Sequence, residues 1–133
     1  MSGKFLLANM LSSISNKRVN DITPIVCEFN TLCYNVLNVM QKAGYIKSFK
    51  KVILNNIPYL ECFVTIKRNE KVFSKIKIYS KPGRRYYVGF DVIKNMLMRN
   101  KYKLYIISTS RGLMSGFESN KMNIGGELLC EIF

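Results

Sequence analysis

The sequence predicts an α+β protein of two small lobes. An N-terminal α-β-α-β-β lobe spans residues 1–79, and a C-terminal, mostly antiparallel β lobe with a short helix spans residues 80–133. Three observations lead there. Stretches with apolar residues every three or four positions alternate with stretches of two-residue alternation. A strong breaker, Lys81-Pro82-Gly83, separates the two halves. The chain has 133 residues, 48% hydrophobic and 22% charged, enough to fold one modest body but not an enzyme with separate substrate and cofactor domains.

The elements follow in order. Leu7, Met10, Leu11 and Ile14 mark one face of a helix from Phe5 to Ile14. Ile25 to Phe29 reads as a short strand. Asn30 then caps a helix whose inward face is Leu32, Cys33, Val36, Leu37 and Met40, and Gly44 stands where a glycine stops it. A strand from Ile46 to Leu54 turns at Asn55-Asn56 into Leu60 to Ile66, with Leu60, Cys62, Val64 and Ile66 on one face. A turn at Arg68-Asn69-Glu70 leads to a strand from Val72 to Tyr79, which sets Lys75 and Lys77 opposite Ile76 and Ile78. The second lobe reads as a strand at Tyr86 to Val88, a helix from about Asp91 to Met98 and a strand from Leu104 to Ile107. A polar loop at Ser108 to Gly112, a helical turn near Ser115 to Met122 and a last strand opened by Gly125-Gly126 complete it.

Charge points to the partner. Twenty-one Lys and Arg against 8 Asp and Glu leave +13, a self-repulsion that binding to a polyanion relieves as counterions are released. From Lys42 to Arg85 there are twelve basic and two acidic residues, whereas from Leu104 to Phe133 only Arg111 and Lys121 stand against Glu118, Glu127 and Glu131. The middle section is therefore the electrostatic footprint, and contacts in the last section must use hydroxyls, backbone and shape. A membrane surface is the competing polyanion, but no long amphipathic helix carries the basic residues and no segment approaches the ~20 apolar residues of a membrane span.

Several chemistries are disfavoured. Cys27, Cys33, Cys62 and Cys130 show no CxxC spacing and no His is present, so neither a zinc site nor a Ser/His or Cys/His nucleophile pair can be assembled. Four reduced core thiols, no cofactor, no metal, no catalytic residue and no small-molecule substrate are expected.

Two stretches carry a binding chemistry. Ser108-Thr109-Ser110-Arg111-Gly112 gathers three hydroxyls and a guanidinium at the end of an apolar strand, able to meet phosphate and ribose oxygens while Gly112 lets the main chain approach closely. A Ser/Thr turn that satisfies only its own backbone is the alternative. Ser80-Lys81-Pro82-Gly83-Arg84-Arg85-Tyr86-Tyr87 interleaves cations and aromatics on a tight turn, the mixture of an RNA-backbone clamp with a stacking surface, or else a solvated Arg pair beside core Tyr.

These stretches, with Gly125 to Cys130, resemble the small-subunit ribosomal protein eight (S-eight) family. Its signatures are similar to Ser-x-Pro-Gly-x-Arg-x-Tyr, Ser-Thr-Ser-[Lys/Arg]-Gly-[Val/Ile/Leu]-Met and Gly-Gly-Glu-[Val/Ile/Leu]-[Leu/Ile]-Cys. Ala8 to Ile14 and Ala43-Gly44-Tyr45-Ile46 resemble the family's first helix and the end of its second, so the likeness covers nearly the whole chain. It implies a non-enzymatic ribonucleoprotein component of translation that binds the central domain of small-subunit rRNA early in assembly and touches neighbouring ribosomal proteins. It further implies that Ser108, Thr109, Ser110, Gly126 and Glu127 meet the principal RNA helix, supported by Arg85 and Tyr87. Arg84, Arg111, Gly112, Lys75 and Lys77 complete the expected RNA-binding set, and a side chain at Gly126 is expected to block close approach and to disfavour any positive φ there.

The chain departs from that pattern at four places. The acidic-Pro pair before the first helix is missing, Lys101-Tyr102-Lys103 replaces a Gly-containing lead, Gly116 stands for the usual Asp and Asn120 for a frequent Arg. Abundant Phe, Tyr, Met, Ile, Asn and Lys reflect AT-rich coding, and the resemblance starts within a few residues of Met1. Together these lead to the expectation of an organelle-encoded mitochondrial protein, with a plastid or bacterial ribosome as the alternative. The rival functions are a free regulatory RNA- or DNA-binding module and, against the missing His, a small serine hydrolase.

Overall fold

In the computed structural model, which describes residues 3–68, 70–81, 83–100 and 102–133 and side chains from Leu6 onward, the first helix, α1 (Gly3–Ser15), buries the expected Leu7, Met10, Leu11 and Ile14. It lies against a second helix, α2 (Thr31–Lys42), and against strand β1 (Ile25–Glu28). Asn30 starts α2 as expected, its side chain accepting from Leu32 N at 2.7 Å. The helix stops at Gly44 (φ +91), where Gly44 N donates to Gln41 O at 3.0 Å and Tyr45 N to Met40 O at 2.9 Å, the paired bonds of a Schellman end.

β2 (Ile46–Leu54) and β3 (Ile57–Val64) join through Asn55 (φ 52) and Asn56 (φ 63), the two left-handed residues of a type I′ turn. With β1 they form an antiparallel sheet in the order β1-β3-β2. Leu60, Cys62 and Val64 are buried, but Ile66 is exposed, contrary to the alternation. The chain leaves the sheet at Thr65, whose N–H donates to Tyr45 O at 3.1 Å, and Ile66 enters the short ribbon of β4 (Ile66–Lys67) and β5 (Glu70–Lys71). Asn69 of the expected turn lies outside the described residues.

The expected strand from Val72 to Tyr79 shrinks to β6 (Ile76–Ile78). Phe73 breaks its alternation by burying its ring edge-on against Tyr45, 5.7 Å between centroids. Two compact units divide between Ser74 and Lys75, not near Ser80 to Pro82. The reason is pairing: β6 runs antiparallel to Cys130–Ile132, so residues 75–79 belong with the second unit and Gly83 marks a turn inside it.

That second unit is built on β10 (Gly126–Ile132). β6 and β7 (Tyr87–Val88) pair with one edge of β10, β8 (Leu104–Thr109) with the other, and β9 (Gly112–Ser115) lies beyond β8, all antiparallel. A bulge between Leu128 and Cys130 adjusts the register. α3 (Phe90–Arg99) places Ile93 against Val88, Tyr105, Ile107 and Leu128. A second helix, α4 (Gly116–Lys121), is capped by Ser115 Oγ, which accepts from Glu118 N at 3.2 Å. At Gly116 a Cβ would sit 3.1 Å from Tyr105 Cβ, so the smallest residue suits this packing. Among the described residues, no helix is long and apolar enough to cross a membrane.

Candidate nucleic-acid interface

The N-terminal end of β10 gathers the motif residues. Glu127 pairs with Tyr87 of β7 on one side and with Ser108 of β8 on the other, and Ser108 pairs in turn with Leu113 of β9. Stretches far apart in sequence thus place Tyr87, Glu127 and Ser108 in one row across three neighbouring strands. The preceding glycines permit this closeness. A Cβ on Gly126 would overlap Ser108 O and lie 3.0 Å from Ser108 C and 3.1 Å from Thr109 Cα, while one on Gly125 would lie 2.5 Å from Val88 O. Gly126 is not among the positive-φ residues, so close approach of β8 alone is what requires glycine there.

The polar loop at Ser108 to Gly112 is a tight hairpin. Ser108 and Thr109 end β8, Gly112 starts β9, and only Ser110 and Arg111 form the turn. Gly112 adopts φ +108, the left-handed position that follows the turn residues in a bulged hairpin. Thr109 Oγ1 donates to Gly112 O at 2.7 Å and accepts from Arg111 N at 3.1 Å. Its hydroxyl therefore stabilises the turn, which is the structural reading of that residue, while Ser110 and Arg111 stand exposed at the tip and Ser108 is half-buried in the row.

On the opposite edge of β10, Ser80 ties down the basic turn. Its buried Oγ donates to Leu128 O at 2.8 Å and accepts from Tyr86 N at 3.0 Å. Lys81 and Arg84 close the turn with reciprocal backbone bonds of 3.0 and 2.9 Å around Gly83 (φ +78). Arg84 and Arg85 are exposed, and Tyr87 is 65% exposed, so neither Tyr87 nor the half-open Tyr86 is the core residue of the alternative reading. Arg85 Nη1 donates to Tyr87 Oη at 3.4 Å. That hydroxyl first, and then the charges of Tyr87 and Glu127, hold the guanidinium above its ordinary pKa.

Lys75 and Lys77 are not brought to this end. Lys77 pairs with Glu131, four residues along β10 from Glu127 and so about 13 Å away, with its ammonium 4.9 Å over the Tyr79 ring. Sequence reasoning missed the anchoring role of Ser80 and the strand β9. A Gly following a two-residue polar turn was the available signal for β9; nothing local signals Ser80, whose partner is 48 residues away.

No group of three His, Cys, Asp or Glu able to hold a metal occurs among the described residues. Cys33, Cys62 and Cys130 are buried, and desolvation pushes each thiol up to about 12. They are protonated and poorly nucleophilic at neutral pH.

The family model described as Ribosomal protein S8 matches residues 6–133, almost the whole chain. The chain belongs to the ribosomal protein S8 family. It is 34% identical over 131 residues to the small ribosomal subunit protein uS8 of Nautilia profundicola, covering 96% of this chain and 97% of that one. It is also 34% identical over 128 residues to the uS8 of Ehrlichia chaffeensis and 33% over 128 residues to that of Rickettsia akari, with 96% of both chains covered in each case. All three relatives are bacterial. The S8 family is structural and non-enzymatic, which removes the serine-hydrolase reading.

Proposed function

We propose that this S8-family chain is a structural constituent of the small ribosomal subunit that binds the central domain of small-subunit rRNA, aids subunit assembly and touches neighbouring ribosomal proteins. The observation that carries the RNA assignment is the row Tyr87–Glu127–Ser108, formed where Gly125-Gly126 lets three strands converge. Ser108 and Ser110 present hydroxyls that donate to phosphate or accept from a ribose hydroxyl, and the Glu127 carboxylate accepts from a 2′-OH or an exposed base amine. Tyr87 offers a ring face for stacking. Arg84, Arg85 and Arg111 flank the row and supply phosphate contacts, while Thr109 and Gly112 hold the hairpin that carries Ser110. Lys75 and Lys77, at the other end of the sheet, add phosphate contacts without sequence information.

The relatives' names, small ribosomal subunit protein uS8, support the assembly. The AT-driven composition favours a mitochondrial small subunit with an organelle-encoded gene, a plastid or bacterial ribosome being the alternative. The decisive experiment is co-sedimentation of the tagged chain with purified subunits, combined with affinity for a central-domain rRNA fragment across a salt series. Cofractionation with the small subunit and a steep fall of log affinity with log salt are expected. A chain that stays in the ribosome-free supernatant and binds many RNAs equally would instead be a free regulatory module.

A further inference from the structure

A groove of about 570 Å³ runs in the first unit between helix α2 and the edge strand β2, and none of its lining residues belongs to the row described above. Its composition is unusual for a surface groove. Three rings line it: Phe29, just before the α2 N-cap, Tyr34 on α2 and Phe49 on β2. Phe29 and Tyr34 are 6.1 Å apart at 53°, and Tyr34 and Phe49 are 5.3 Å apart at 75°. Tyr34, Asn38 and Gln41, spaced four and then three residues apart, form one ridge of the helix and set two amides beside the rings. Lys51 reaches across from β2, its ammonium 4.5 Å over the Phe29 ring. Lys50 completes the lining and meets Glu61 of the neighbouring strand at 3.7 Å.

We infer that this groove takes an unpaired RNA nucleotide, with the base stacked on Tyr34, its edge met by Asn38 or by Gln41 Oε1, since Gln41 Nε2 donates to Lys47 O at 3.4 Å, and its phosphate by Lys51. The inference rests on the RNA-binding reading and adds a second contact point to it. Three observations favour a nucleotide over a protein segment. No aliphatic side chain lines the groove, whereas grooves that take apolar peptide anchors are walled by them. Amides beside the part-exposed Tyr34 ring match a base, which offers both a π surface and a hydrogen-bonding edge. Both charged lining residues are cations and no carboxylate lines the groove among the described residues, which suits a phosphate. Tyr34 is 41% exposed, so part of its ring is available to a ligand.

The test measures binding of an eight-nucleotide single-stranded oligoribonucleotide and of the central-domain fragment by fluorescence anisotropy, with circular dichroism to verify folding. Tyr34→Leu should weaken single-strand binding by about fivefold or more, because one stacked base is lost, while Tyr34→Phe should bind like wild type. Lys51→Gln should weaken it and lower the salt slope by about 0.7, the share of one phosphate contact on a single strand. Ultraviolet irradiation of purified small subunits should then attach a nucleotide to the peptide containing Tyr34. If wild type binds the central-domain fragment but both Tyr34→Leu and Lys51→Gln bind the single strand unchanged, this inference fails and the RNA-binding reading stands. A Tyr34 peptide crosslinked to protein, or Tyr34→Phe as weak as Tyr34→Leu, overturns it too. If wild type does not prefer the central-domain fragment to unrelated RNA, the RNA-binding reading itself falls.

Discussion

Replacing Gly126 by alanine adds one methyl group at the point where β10 and β8 come closest. Its Cβ would overlap Ser108 O and crowd Ser108 C at 3.0 Å and Thr109 Cα at 3.1 Å. All three are backbone atoms of a paired strand, so no side chain can rotate away. The strands must instead separate by roughly one ångström or slightly more to restore ordinary contact distances near 3.5 Å. Overpacking of this kind costs about 1–3 kcal/mol. That is a minor part of the ~5–15 kcal/mol stability of ordinary domains, so Gly126→Ala should still fold and its RNA binding can be measured. Because Gly126 is not at positive φ, the whole effect is steric.

Two assays read it. Urea unfolding followed by circular dichroism should give a lower midpoint at unchanged slope, corresponding to about 1–3 kcal/mol. Affinity for the central-domain fragment should fall with it, since a displaced β8 carries Ser108 and the hairpin tip out of line with Glu127 and Tyr87. A midpoint shift with unaltered affinity would leave the packing argument intact and refute the row as the binding site. No change in either quantity would refute both.

Three further perturbations separate the kinds of contact. Ser110→Ala should weaken binding of the cognate fragment by on the order of 1–3 kcal/mol with an unchanged salt slope, because it leaves an RNA group unpaired but removes no charge; a folded Ser108→Ala/Ser110→Ala protein that binds like wild type at near-physiological salt would end the assignment. Lys75→Gln with Lys77→Gln should weaken all RNAs alike and lower the salt slope by roughly one to two, and a selective loss for one sequence would show that these residues read bases. The thiols of Cys33, Cys62 and Cys130 titrate near 12 when folded, against 9.0 for an ordinary thiol. Between these values the unfolded chain binds fewer protons than the folded one, so stability is full below pH 9 and declines as pH rises towards 12; urea midpoints that rise from pH 8 to pH 10, or rapid alkylation of all four cysteines without urea, would contradict this.

The elements that were legible in the sequence are those whose signal is local. Asn30 and Gly44 bracket α2 because a cap and a left-handed stop act within a turn of the helix, and Asn55-Asn56 specifies its hairpin with two residues. What was illegible depends on distant partners. Ile76 to Ile78 alternate like any strand, but only β10, more than fifty residues later, decides which unit they join. Phe73 looks like one more strand residue until Tyr45 takes its ring. In the proposed site, the sequence offers Ser108 to Gly112 and Gly126-Glu127 as candidates, yet cannot divide contact from scaffold, because Thr109 differs from its serine neighbours only in what its hydroxyl reaches.

If the row binds RNA as proposed, that division explains how its hydroxyls and carboxylate are rigid enough to select one. A hydroxyl or a carboxylate distinguishes one RNA shape from another only if its position is fixed before binding; otherwise ordering it on contact costs much of what the hydrogen bond contributes. Here two hydroxyls are used internally, one on each flank of β10: Thr109 closes the hairpin that presents Ser110, and Ser80 clamps the turn that presents Arg85 and Tyr87. Gly125 and Gly126 then hold both flanks at backbone contact. On that reading the long-range pull of the basic surface concentrates RNA without selecting it, and selection rests on the few groups that these four residues keep in place.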